Sequence, residues 1–239
     1  MKLEKVEVKD FKSIRNSNAF RVGDITCLVG KNESGKTALL EALYRMNPII
    51  EEQGEFDVTS DYPRAEVEDY RHDIESGIKK PAIVVKANYS LEDTDLTKFE
   101  NQFGGKVLKK QELILSKGYE NKVFVELDVD EKNYVKALVG KHNLSSVNKV
   151  AVDKCEKLEE VIEALRTDQE DDANDIIEKV NKIVERGLVV YIYEEFFEDV
   201  VPKFLYFDQY YQMEGHVNIE ELEKRQREKR LSDSDRPML

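Results

Sequence analysis

Apolar residues change their spacing several times along this 239-residue chain, and each change marks a predicted element. Leu3, Val6 and Val8 punctuate a charged strand, Phe11-Lys12-Ser13-Ile14 makes a turn, and Phe20 and Val22 begin a second short strand. Asp24-Ile25-Thr26-Cys27-Leu28-Val29 is nearly continuous in apolar and β-branched residues, the composition of a strand buried on both faces. Ala38, Leu39, Ala42, Leu43 and Met46 then recur at helical spacing until Asn47-Pro48 stops the helix. Residues 49 to 80 hold little periodicity, which predicts an irregular connection with a short helix near 66 to 76. A strand over Pro81 to Leu91 follows, then a polar helix around 93 to 103 ending at Gly104-Gly105.

Glu112 to Ser116 and Lys122 to Asp128, joined by a glycine-containing loop, read as a hairpin. Alternation within its second run suits an antiparallel sheet with one better-buried face. Farther on, Leu158, Val161, Ile162 and Leu165 form one helical stripe, and Ile176, Ile177, Val180, Ile183 and Val184 form another. The acidic run from Asp168 to Asp175 between them is a solvated break. Gly187 ends the second helix, Leu188 to Tyr193 and Lys203 to Asp208 both look strand-like, and Ile219 to Arg230 is a charge-dense helix. These boundaries predict three parts: a lobe with an antiparallel sheet over 1–150, a helical pair inserted over 151–187, and return strands over 188–239 that begin a second lobe.

Between the apolar run and the first helix lies Gly30-Lys31-Asn32-Glu33-Ser34-Gly35-Lys36-Thr37, which satisfies every fixed position of the phosphate-loop pattern G-x-x-x-x-G-K-[ST]. A strand before the loop and a helix after it aim the loop's N–H groups and the helix N-terminus at one spot, which suits a triphosphate. Lys36 is predicted to reach the β- and γ-phosphates and the Thr37 hydroxyl to ligate Mg²⁺. ATP and Mg²⁺ are therefore the expected cofactors, and residues 30 to 38 the expected nucleotide contacts.

Composition narrows the partners. With 36% charged residues and a formal net charge of −13, the chain should not bind DNA through a broad basic surface. Two cysteines far apart, Cys27 and Cys155, predict reduced thiols and a cytoplasmic setting, with Cys27 buried in its strand. The first residues carry no apolar run like a signal peptide, and no apolar segment is long enough to span a bilayer. His72, His142 and His216 lack ligand-like spacing.

Hydrolysis needs more than the cradle, because a carboxylate from a second strand must hold Mg²⁺ and a polar group must orient water. Two places come near this pattern: Tyr191-Ile192-Tyr193-Glu194-Glu195, with Glu where Asp is usual, and Leu205-Tyr206-Phe207-Asp208-Gln209, with Gln where Glu is usual. Either reads equally as an ordinary strand end, so the catalytic carboxylates are expected to lie outside these residues.

Val6 to Ile14 together with Ile25 to Leu43 resemble the head of ABC-type ATPases of the SMC, RecF and OLD group, DNA-repair and phage-defence ATPases. Within that group the loop is most similar to AAA-annotated, OLD-like members, with Glu33 standing where SMC proteins have glycine. The resemblance implies an α/β P-loop NTPase lobe with a mixed sheet and a helical insertion, too short for an SMC arm because ~15-residue helices reach only ~22 Å. It places Lys12 and Ser13 beside the nucleotide and makes Asn32 a polar contact of the loop. It also makes Gln209 the candidate for sensing Mg²⁺ or water, with Asp208 or Gln209 as the further metal contact. A second lobe with a signature motif, an Asp-Glu strand and a switch histidine is expected in residues beyond these, as in a truncated or split protein. ATP would drive two heads together as a homodimer or larger oligomer, acting on DNA or a partner nuclease. The rival readings are a non-hydrolysing nucleotide-binding interaction module, in which the acidic helices dock a partner, and a P-loop kinase, against which the antiparallel hairpin argues.

Overall fold

The computed structural model describes residues 1–166, 171–207, 218–228 and 230. Its six strands are β1 (Lys2–Phe11), β2 (Ile14–Asn16), β3 (Phe20–Arg21), β4 (Ile83–Ser90), β5 (Glu112–Gly118) and β6 (Val123–Glu126). They form one sheet in the order β2-β1-β4-β5-β6, with β3 also paired to β1. Every one of these strand pairs is antiparallel. Outside these strands, an isolated parallel bridge joins Pro48 and Phe204.

Register explains why the sheet is one-sided. Val6 lies opposite Ala87, which lies opposite Leu115; Leu3, Tyr89 and Leu113 form the next row. All but Leu3 are buried. Neighbouring rows bring up Glu7, Lys86 and Lys5 instead, and Lys86 pairs with Glu126 at 2.6 Å across that face. Period-two side-chain alternation thus puts apolar residues on one face and ionic residues on the other.

The apolar face carries α1 (Lys36–Tyr44), which packs on β1 and β4 through buried Ala38 and Ala42. After it come α2 (Val58–Asp61), which was not expected, and α3 (Val67–Glu75), the short helix predicted near 66 to 76. α4 (Asp93–Phe103) opens on a capping box between Glu92 and Asp95. Next stand α5 (Glu131–Gly140) and α6 (Ser146–Val152), which apolar spacing alone did not reveal. Their N-caps, Asp130 accepting from the Asn133 N–H and Ser145 accepting from the Asn148 N–H, were the available signal. The predicted amphipathic pair is present as α7 (Leu158–Leu165) and α8 (Asp171–Arg186). Leu158, Val161, Leu165, Ile176, Val180 and Ile183 are buried in the same core cluster as the sheet residues.

Four expectations are corrected. Asp24 to Val29 is not a strand: among the described residues no strand lies beside it, and Ile25 and Val29 are 94% and 92% exposed. Extended backbone becomes a strand only when a neighbour takes its N–H and C=O groups. Cys27, in the same segment, is exposed rather than buried. Leu188 to Tyr193 is helical, forming α9 (Leu188–Ile192) and running into a π-helical turn over Tyr193–Phe197. Its β-branched content favours a strand, but Ile192 and Phe197 gain burial only when helical spacing turns them to the core, where Phe197 meets Phe99 at 5.7 Å. Of the second strand-like run, Phe204 makes only the isolated bridge, while the charge-dense helix stands as α10 (Ile219–Arg227).

Candidate phosphate-binding site

Two walls meet at the N-terminus of α1. One is the loop from Gly30 to Thr37, and the other is the tight turn between β1 and β2, so a recess of about 320 Å³ forms between Lys12, Ser13, Glu33 to Ala38 and Glu41.

On the loop side, Gly35 caps α1 with φ 89°, a left-handed conformation natural to glycine. A Cβ there would lie 3.1 Å from Ile14 Cγ1 and 3.2 Å from Ser13 Oγ, so glycine also lets the two walls touch. Glu33 holds φ 64°. Here an ordinary side chain sits on a left-handed backbone, at a cost of about 1–2 kcal/mol. The Lys36 ammonium donates to the Gly30 carbonyl at 2.9 Å, the Lys31 carbonyl at 2.6 Å and Ser34 Oγ at 3.3 Å, drawing the loop around itself.

The opposite wall is braced from beneath. Asp10 and Lys12 both have positive φ, 47° and 52°, on either side of fully buried Phe11. Such backbone persists where its surroundings hold it. The Lys12 N–H donates to the Asp61 carbonyl at 2.6 Å, and the Tyr119 hydroxyl donates to the Asp10 carbonyl at 2.6 Å. Burial pushes the Tyr119 phenol well above its ordinary range, keeping that donor protonated. Under the turn, Phe11 meets Phe56 edge-on at 5.6 Å, Phe56 meets Tyr119 at 6.2 Å, and Tyr62 stacks on Tyr70 at 3.9 Å.

Charge enters through Lys12 as well. Its ammonium bonds Glu41 Oε2, while Glu41 Oε1 accepts from Arg45 at 2.6 Å and Arg45 reaches Asp61 at 2.5 Å. Sequence reading missed Glu41, Arg45 and Asp61. Glu41 and Arg45 stand four residues apart on one helix face, a legible pairing, whereas nothing local joins Asp61 to them.

A triphosphate suits this recess: the helix start supplies N–H donors, Lys36 and Lys12 supply positive charge, and the glycines admit close approach. For Mg²⁺, the Thr37 hydroxyl is a fitting ligand, and the Glu33 and Glu41 side chains also line the recess. No group of three or more His, Cys, Asp or Glu side chains able to hold a metal occurs among the described residues. Of the two carboxylate candidates, Glu194 pairs with Arg186 at 3.0 Å and Glu195 lines a groove with His142 and Lys182, so neither joins the recess. Asp208 and Gln209 lie outside the described residues. Asn32 is an exposed loop residue, and Ala38 turns into the core.

Residues 1–237 match the family profile of the AAA ATPase domain. None of the curated proteins compared matches the chain. The match spans nearly all of the sequence, so the chain belongs to the AAA ATPase domain family, and ATP is the ligand that membership assigns to it. No described helix is long and apolar enough to cross a membrane.

Proposed function

We propose that this AAA ATPase domain is the nucleotide-binding lobe of a head of the SMC, RecF and OLD type. It would hold Mg-ATP between residues 30 to 38 and the Lys12-Ser13 turn, and hydrolyse it once a second lobe or a partner supplies the missing carboxylate. The observation that carries this reading is the recess itself, where a phosphate loop at a helix N-terminus is faced by a second, basic wall from an antiparallel sheet. In it Lys36 would neutralise the phosphates, Thr37 would bind Mg²⁺, and Asp208 or Gln209 would approach the metal or the attacking water. Bound Mg²⁺ would draw charge from the phosphate oxygens; the chain's own residues position and screen them.

The resemblance extends the proposal to the biological role. ATP would bring two heads together as a homodimer or larger oligomer in the cytoplasm, gating DNA repair or phage defence through DNA or a partner nuclease. A non-hydrolysing nucleotide clamp is the second reading, favoured because the carboxylates lining the recess are Glu33, within the loop itself, and Glu41, which Lys12 and Arg45 already engage.

Calorimetry with Mg-ATP tests the proposal, comparing wild type with Lys36→Ala and following each sample with a phosphate-release assay. Binding by wild type, weakened at least about 100-fold in the variant, supports the site. Binding without turnover supports the clamp or a carboxylate supplied from elsewhere. Equal binding by both proteins overturns the site.

A further inference from the structure

Lys12 and Asp61 stand at the two ends of an unbroken chain of charge: Lys12 ammonium, Glu41 carboxylate, Arg45 guanidinium, Asp61 carboxylate. Side-chain exposure falls along it from 38% at Lys12, through 23% and 19%, to 2% at Asp61. The inner end is therefore the anchor. Asp61 Oδ2 also accepts the Asp57 N–H at 2.9 Å, and Arg45 donates to the Glu55 carbonyl at 2.9 Å. Arg45 further lies over the rings of Phe11 and Phe56, at 5.4 and 5.7 Å from their centroids. An isolated exposed lysine would sample many rotamers. This one is held from its backbone, where Lys12 N–H meets the Asp61 carbonyl, and from its tip, where Glu41 meets the ammonium.

An ammonium has three donors and Glu41 engages one, leaving two for a ligand in the recess that Lys12 lines. With loop N–H groups and Lys36 on one side of a triphosphate, a cation on the facing wall would be placed for its terminal phosphate. Resting on the proposed ATP site, we propose that Glu41 is a positioning residue: anchored by Arg45 and Asp61, its carboxylate holds Lys12 across the recess so that the protein tells a triphosphate from a diphosphate. Both Glu41 oxygens are used, one per cation, and an amide has only one acceptor oxygen. Glu41→Gln therefore keeps the side chain's size and loses the ability to hold Arg45 and Lys12 together.

The test measures ATP and ADP affinities by calorimetry for wild type, Glu41→Gln, Lys12→Met and the double variant, with thermal midpoints alongside. We expect Glu41→Gln to weaken ATP about tenfold while ADP changes less than about twofold, and to add little in the Lys12→Met background. Lys12→Met, at a half-exposed position, keeps the test alive if Glu41→Gln fails to fold, because it too must weaken ATP more than ADP. A merely structural Glu41 lowers the thermal midpoint and weakens both nucleotides alike, with additive effects in the double variant; that result overturns the inference and leaves the ATP site standing. Wild type that binds neither nucleotide overturns both.

Discussion

β1 and the segment from Asp24 to Val29 both lead into a wall of the same recess, and both carry alternating or continuous apolar residues, yet only one is built into the protein. Val6, Val8 and Phe11 are fully buried, and β1 has β4 along one edge and β2 and β3 along the other. Ile25 and Val29 stand almost wholly in solvent, beside no strand of the described residues. A strand is a relation between segments rather than a property of one, since its backbone groups and both its faces must be satisfied by others. The contrast also orders the two walls of the site: the turn after β1 is braced by Tyr119, Asp61 and an aromatic cluster, while the loop after Val29 is tied chiefly through Lys36 to its own carbonyls.

Paired substitutions give the sharpest test. Phe11→Ala removes a fully buried ring and is expected to cost about 3–5 kcal/mol in denaturant unfolding, whereas Ile25→Ser should shift stability by no more than about 0.5 kcal/mol. An Ile25→Ser loss of several kcal/mol in the same titration erases the contrast, because it means the segment is covered.

A smaller effect probes the loop wall itself. Glu33→Gly relieves the left-handed backbone but adds freedom to the unfolded chain, leaving a net gain of about 0.5–1 kcal/mol. Chemical denaturation reads it, and a destabilised variant shows that the Glu33 side chain makes up for its own strain.

Smallest is a pH effect on the braced side. Lys117 donates to the Arg45 carbonyl at 3.1 Å, at the C-terminal end of α1, and burial pulls its pKa below the ordinary 10.5. With the folded pKa below the unfolded one, the unfolded chain binds more protons between the two values, so this group makes stability rise with pH across that alkaline window. The cost of burying the charge is fully present below the folded pKa and fades as pH climbs through it toward 10.5. Lys117→Met should therefore remove an upward alkaline component, seen as a wild-type-minus-variant stability difference that grows with pH. A flat difference denies the burial effect.

Local pattern made much of this molecule legible. The phosphate loop, α1, which ends at Tyr44 a little before the expected stop at Asn47-Pro48, α4, the β5–β6 hairpin and the stripes of α7 and α8 each rest on neighbours within a few turns or one hairpin. The turn at Phe11 to Ile14 was visible too, though its role at the recess came from resemblance and its bracing did not show. Segments whose state depends on distant partners were read less well. Leu188 to Tyr193 has the composition of a strand but is helical, with Ile192 buried in the core, and α5 and α6 depended on caps that spacing alone passes over.

By itself, the sequence determined that a phosphate loop opens a helix, that the chain carries a formal net charge of −13, and that an antiparallel hairpin belongs to the sheet. Tertiary structure alone decided that Lys12 faces the loop across a recess, that Glu41, Arg45 and Asp61 align behind it, and that residues 24 to 29 remain without a neighbouring strand among the described residues. The physical reason is range. Helix turns and tight loops satisfy their hydrogen bonds within a few residues, whereas strand pairing and a buried charge chain join groups from separate elements, whose meeting no local pattern encodes.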